Sequence, residues 1–391
     1  MKKILVLIVL TSQISCDKNT SSEYINIDTY TNVKATFGTT INLESLSNYA
    51  NQSIPNYIRK DNTAGNPITD KGATLGRVLF YDKNLSANNT ISCANCHQQA
   101  HAFSDPNIAS IGVNGTAGRH SMRLINTRFA NENKFFWDER ATSLEIQSTQ
   151  PIQNHIEMGF SGTNGDENFS SLIAKLQNIG YYQELFQFAY GSTTITEAKI
   201  QTALAQFIRS IQSFDSKYDA GRALVGNENQ SFANFTMQEN QGKNLFLTPP
   251  QFNATGSRIG GGVGCAGCHA APEFDINPNS GNNGIIGVLN GTGIDITNTR
   301  SPSLRDLVKT DGTTNGPMMH TGVFTTLQTV IGHYGTINLA PGNTNLDPKL
   351  RPNGFGQQLN LNATEVNALI AFLKTLSGTN VYTDTKWSDP F

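Results

Sequence analysis

The sequence predicts a mainly α protein made of two comparable halves, and three observations predict it. Helical periodicity dominates the chain, with no confident run of alternating strand residues. The 391 residues are enough for two domains, and a hydrophobic share of 37 %, with 21 Phe and 11 Tyr, supplies apolar surface for their cores. One pentapeptide pattern occurs once in each half, as Cys93-Ala94-Asn95-Cys96-His97 and Cys265-Ala266-Gly267-Cys268-His269.

Composition removes whole classes of function. Lys plus Arg number 28 against 30 Asp plus Glu, a net charge of −2, so the basic footprint of a nucleic-acid binder is absent. No uninterrupted apolar run reaches about 20 residues, which excludes a multispan membrane protein. Charged residues are only 15 %. Asn, Thr, Ser and Gln take their place and read as long polar loops.

In chain order, Lys2 and Lys3 precede a short apolar run over 4–10 and then Ser15-Cys16. That pattern fits an export signal over 1–16. Its end resembles a bacterial lipoprotein signal, in which Cys16 carries the lipid and is the chain's only membrane attachment. Residues 17–69 then form a polar tether and N-terminal extension. Helices are expected over 73–81, 169–177 and 181–190, the last two broken by Gly180 and Gly191. The clearest runs over 196–218: Thr196 caps it, Glu197 enters its first turn, and Ile200, Leu204, Phe207, Ile208 and Ile211 form one stripe. Further helices are expected over 236–246 and 364–376, with Gly- and Asn-rich loops over 253–264 and 277–298. The polar stretch between Gly221 and Thr236 is the expected boundary, dividing the chain into 70–228 and 229–391.

Each Cys-x-x-Cys-His pentapeptide is the attachment signature of a c-type haem: two thiols add across the vinyl groups and the adjacent His reaches the iron. Cys93, Cys96 and His97 would hold one haem; Cys265, Cys268 and His269 would hold the other. A zinc ribbon places its second pair about 15–20 residues on, and a redox dithiol does not need the trailing His. Covalent haem also agrees with export, because c-type haem is attached outside the cytoplasm.

Around the first motif the chain resembles the bacterial dihaem cytochrome c peroxidases and their MauG relatives. The resemblance covers about residues 70–378. It rests on Phe136-Trp137-Asp138-Glu139-Arg140-Ala141, on Pro151-Ile152-Gln153-Asn154-His155-Ile156-Glu157-Met158-Gly159, on Pro302–Arg305 and on His320-Thr321-Gly322. It implies two c-type cytochrome domains, a peroxidatic one over 70–228 and an electron-transfer one over 229–391. It implies a peroxide pocket served by Glu157 and Gln147. A carboxylate there moves a proton between the two peroxide oxygens and an amide holds the peroxide. Trp137 falls where the family places an indole between the haems. Tyr334, fourteen residues after His320, falls on the sixth-ligand position of the second iron, which is Met in ordinary peroxidases and Tyr in the MauG branch. His333 is adjacent and equally able to ligate. The stretch where many members carry a blocking His reads Ile111-Gly112-Val113-Asn114-Gly115, so the first iron is expected to be open. The family's calcium position corresponds to Asn315, Pro317 and His120. Imidazole is a poor ligand for a hard cation, which leaves calcium in doubt.

The expected function is reduction of hydrogen peroxide to water, in the periplasm or at the outer membrane. Electrons would come from a small redox protein such as a cytochrome c or a cupredoxin. A MauG-like oxidase that modifies a partner protein and a non-enzymatic dihaem electron carrier are the alternatives.

Overall fold

The structure is a computed structural model that describes residues 29–130, 134–276 and 279–391. The expected export signal, with Cys16, and the start of the tether lie outside the described residues.

Eleven α-helices, eight single-turn 3-10 helices and three short antiparallel hairpins make up the regular structure of the described residues. The helices are α1 (Thr31–Phe37), α2 (Asp70–Tyr81), α3 (Cys93–Cys96), α4 (Leu144–Thr149), α5 (Phe169–Gln177) and α6 (Gly180–Tyr190). They continue with α7 (Glu197–Ser210), α8 (Lys217–Arg222), α9 (Met237–Leu247), α10 (Leu327–Gly335) and α11 (Ala363–Lys374). The hairpins pair β1 (Ile111–Gly112) with β2 (Gly115–Thr116), β3 (Pro250–Phe252) with β4 (Arg258–Gly261), and β5 (His269–Ala270) with β6 (Asp275–Ile276). The fold is therefore mainly α. No helix among the described residues is long and apolar enough to cross a membrane.

Two apolar cores organise the chain. The first gathers α2, α5, α6 and α7 through Leu79, Phe80, Leu172, Phe186, Leu204 and Phe207. The second gathers α9, α10 and α11 with Tyr218 and Phe274. Each is built on one helix crossing, and the two crossings are alike. In the first, the backbone of α7 lies so close to Gly76 of α2 that a Cβ there would sit 2.0 Å from the Ala203 carbonyl oxygen. In the second, a Cβ on Gly242 of α9 would sit 1.9 Å from the Ala368 carbonyl oxygen of α11. An aromatic pair seals each crossing, Phe80 on Phe207 at 5.2 Å and Phe246 on Phe372 at 5.3 Å. The matching sequences are Gly76-Arg-Val-Leu-Phe80 with Gly242-Lys-Asn-Leu-Phe246, and Ala203-Leu-Ala-Gln-Phe207 with Ala368-Leu-Ile-Ala-Phe372.

Several boundaries differ from expectation for local reasons. The helix expected over 196–218 is two. Ile211 turns extended, the Ser213 N–H donates to Asn126 Oδ1 at 2.9 Å, and the Ser216–Asp219 capping box starts α8 afresh. The Asn126 side chain, taking the Ser213 N–H, ends the helix even though the apolar stripe continues. Gly180 opens α6 instead of breaking it. Helix α10 went unforeseen because Thr329, Val330, Ile331 and Gly332 are poor helix formers; Thr326 caps it, accepting from the Thr329 N–H at 3.1 Å. Helix α4 is too short to show a period, α1 lies in the expected extension, and the loop expected over 253–264 holds β4.

The two cores do not divide the chain at a single point. Tyr218 already packs in the second core, while Val381 and Trp387, near the C-terminus, pack in the first.

Candidate active site

Each pentapeptide opens on its own cavity. Cys93 and Cys96 lie on the single turn α3, where Asn95 Oδ1 accepts from the Ser92 N–H at 2.9 Å and the His97 N–H closes the turn on the Cys93 carbonyl. The cavity above it measures about 650 Å³ and is lined by Cys93, Cys96, His97, Trp137, Gln147 and Glu157, among others. The second, about 470 Å³, is lined by Cys265, Cys268, His269, Trp137 and Tyr334, with Met318 and Met319. Both volumes fall in the ~300–1,000 Å³ range of cofactor sites.

The imidazoles are held neutral. Burial lowers the pKa of His97, and its Nδ1 faces the Phe103 carbonyl at 3.2 Å, which leaves Nε2 as the lone-pair nitrogen. Burial pushes His269 down to about 4, and its enclosed Nδ1 has no hydrogen-bond partner. The thiols move the other way. Burial, helped by the neighbouring cysteine, pushes Cys93 and Cys265 up to about 12, and burial pushes Cys96 up to about 11. None of the four forms a disulfide. Reactive dithiols need a depressed pKa, so these pairs are built for another purpose.

Glu157 is presented by a loop that its own neighbours brace. Asn154 Oδ1 accepts from the N–H groups of Ile156 and Glu157 at 2.9 and 3.1 Å. The β1–β2 hairpin then docks on it, Val113 N–H to the Glu157 carbonyl at 3.0 Å and Asn114 N–H to the Ile156 carbonyl at 3.1 Å. A Cβ at Gly112 would lie 2.1 Å from the Ile156 carbonyl oxygen, so only glycine allows that approach. The Glu157 carboxyl has no hydrogen-bond partner among the described residues, and burial raises its pKa against the opposing charge of Arg140. Gln147 reaches the same cavity from α4, which Ser143 caps. The segment Ile111–Gly115, which has no His, is this hairpin, and the histidines lining the first cavity are His97 and His120.

Trp137 lines both cavities. It is 9 % exposed, donates from Nε1 to the His120 carbonyl at 2.8 Å, and meets the His320 ring edge-on at 6.2 Å. In the second cavity Tyr334 and His333 part company. Tyr334 lines it from α10, and burial raises its phenol pKa. His333 is turned to the Asn283 carbonyl at 2.8 Å and stacks near Phe324. His101 lines neither cavity. His155 pairs with Asp166 at 2.8 Å. His120, at the calcium-ligand position, places Nδ1 3.2 Å from the Ile108 carbonyl.

Comparisons with known proteins converge on one family. The family described as di-haem cytochrome c peroxidase matches residues 70–229. The methylamine utilization protein MauG of Methylophilus methylotrophus is 29 % identical over 322 residues, covering 80 % of this chain and 84 % of that one. The cytochrome c551 peroxidase of Nitrosomonas europaea is 28 % identical over 317 residues, covering 78 % and 80 %. The crystal structure of a MauG-like protein associated with microbial copper homeostasis superposes with a TM-score of 0.67 at 27 % identity, over 87 % of this chain and 99 % of that one. Residues 70–229 match the di-haem cytochrome c peroxidase family, and most of the chain is similar to MauG proteins and cytochrome c peroxidases. That likeness implies haem c, and the residues present fit it: neutral imidazoles, protonated thiols free of disulfides, and a cavity over each pentapeptide.

Sequence reasoning missed the arginines of this site. Arg123 and Arg300 line both cavities and Arg119 lines the first. They are single charges in irregular segments and carry no periodic signal. Their partners, such as Asp295 for Arg119, lie far along the chain.

Proposed function

We propose that the protein is an exported peroxidase that reduces hydrogen peroxide to water, taking two electrons and two protons per peroxide. The electrons come from a small redox protein such as a cytochrome c or a cupredoxin. Two haems, each attached through its pair of cysteines, would supply the iron redox centres, and His97 and His269 would hold their irons. Glu157 would accept a proton from one peroxide oxygen and return it to the other, and the Gln147 amide would hold the peroxide in place. Trp137 would offer an indole between the two cavities it lines, and the Tyr334 oxygen would be a further ligand in the second. Export, with a lipid anchor at Cys16, belongs to the same reading.

One observation carries this proposal. A carboxyl without a hydrogen-bond partner among the described residues and with a raised pKa, Glu157, lines the same cavity as His97, together with Gln147. A MauG-like oxidase acting on a partner protein is the second reading, and Tyr334 lining the second cavity is the observation that favours it.

Rapid mixing of the haem-loaded protein with hydrogen peroxide tests both. Fast spectral change in the oxidised protein, slowed about 10²–10⁴-fold in Glu157→Ala, is the expected result. Steady turnover with a reduced small cytochrome or cupredoxin separates the peroxidase from the protein-modifying oxidase. Two irons indifferent to peroxide, both oxidised and after one-electron reduction, would leave an electron carrier.

A further inference from the structure

Four guanidinium groups stand on the walls of the two cavities, and three have carboxylates, Arg140 pairing with Asp138 at 2.8 Å. Arg119 is held between Asp138 at 2.7 Å and Asp295 at 2.8 Å. Arg300 faces Asp275 at 3.7 Å, donates to the Lys134 carbonyl and lies 5.1 Å from the Phe135 ring. Arg123 is different. It donates from Nη2 to the Ser303 carbonyl at 2.9 Å, and its Nε is enclosed with no hydrogen-bond partner. Among the described residues no carboxylate comes within ion-pairing distance; Asp306 and Tyr382 act on it only through their longer-range field. Burial pushes its pKa down to about 10. On the same wall, three residues earlier, His120 Nε2 is also enclosed and unpartnered.

A half-buried guanidinium with an enclosed Nε and no counter-ion is unfavourable. It is also a planar fork matched to carboxylates. Arg123 is therefore set up for an anion that enters one or both of the cavities it lines.

We propose that Arg123 is a shared anchor for the propionate carboxylates of the two haems, one cation placed between both centres that stabilises their reduced states together. The inference rests on the haem reading above and adds a residue to it. Arg123 is a positioning residue, touching the edge of the group and not the reacting oxygen atoms. A positive charge at this place favours the electron-rich form of each centre, so its removal lowers both reduction potentials. It also holds the propionates ionised, so its removal lets them take up protons and makes the potentials more dependent on pH.

The test compares wild type, Arg123→Gln and Arg123→Lys, each matured with haem. Covalent haem is counted by the pyridine haemochrome, and both potentials are titrated across the neutral pH range. Two haems per chain in the wild type uphold the reading on which the inference rests; fewer would overturn both together. With two haems present, Arg123→Gln should lower both potentials by about tenfold in the reduction equilibrium, ~59 mV for a one-electron couple, with a steeper pH dependence. Arg123→Lys should restore most of that shift. Potentials that stay at wild-type values in Arg123→Gln, or a shift confined to one haem, would overturn the shared anchor. Should Arg123→Gln fail to mature, the lysine variant decides. Potentials near wild type support the charge, and a fall of about tenfold in the equilibrium despite the retained charge overturns it.

Discussion

At Glu157 two opposing effects set the protonation state. Burial disfavours the carboxylate, and Arg140 favours it; burial wins, and the pKa lies above the ordinary 4.5. Arg140 is held in place by Asp138 at 2.8 and 3.1 Å and by the Phe136 ring 3.5 Å away. A proton acceptor works only in its ionised form, so the rate of reaction with peroxide should rise with pH through that elevated pKa and fall below it. Arg140→Gln removes the charge that pulls the pKa down, so the inflection should move to higher pH, as read from stopped-flow rates across a pH series. An inflection unmoved by Arg140→Gln would mean that the guanidinium does not act on this carboxyl. At this scale the sequence was informative where chemistry is written in adjacent residues. Cys-x-x-Cys-His is legible as it stands, and the resemblance led to Glu157, Gln147 and Trp137. Arg123 was not legible, because its character comes from what surrounds it in three dimensions.

Among the elements, the paired crossings of α2 with α7 and of α9 with α11 make the sharpest claim. An added methyl at Gly76 or Gly242 meets the backbone of the partner helix, at Ala203 and Ala368, where nothing can swing aside. Gly76→Ala and Gly242→Ala should each destabilise their half by about 1–3 kcal/mol, despite alanine's better helix propensity. Gly332, inside α10, is the control. Its Cβ would meet open space, so Gly332→Ala should stabilise by up to about 1 kcal/mol. Thermal melts of the three variants check the contrast in sign, and a stabilised Gly242→Ala would mean that the crossing is looser than it stands. Helices with strong caps, such as α5 and α9, and the start of α7 were legible in the sequence almost to the residue. The end of α7 was not, because Asn126, 87 positions away, takes the Ser213 N–H. The Gly-x-x-Leu-Phe and Ala-Leu-x-x-Phe repeats were visible in the sequence, yet only the crossings give them meaning.

Over the whole molecule the chain laces the two halves together. Tyr57, in the N-terminal extension, donates to Asp219 at 2.7 Å, and Lys60 pairs with Glu273 at 3.1 Å. Asp219 also forms two 2.9 Å bonds with buried Arg305. Burial alone would raise the Asp219 pKa, but Arg305 and the hydrogen bonds from Ser216 and Tyr57 outweigh it and hold the carboxyl below its ordinary range. The stability it contributes is therefore present above the ordinary carboxylate range and is lost as pH falls through the lowered value. At the other end, residues beyond the second core return to the first. Trp387 is 2 % exposed there, its Nε1 3.2 Å from Ser210 Oγ, while the Tyr81 and Tyr49 hydroxyls donate to the Trp387 and Lys386 carbonyls at 2.6 Å. The two apolar cores nevertheless remain separate clusters, with the arginine-bearing cavity wall between them. Separate cores linked by polar contacts open as separate units. Trp387→Ala should cost about 3–5 kcal/mol. That loss should appear in native-state hydrogen exchange as faster exchange of the α2 and α7 amides, with α9 and α11 keeping their protection. Equal loss of protection in all four helices would mean that the lacing merges the two halves into one cooperative unit.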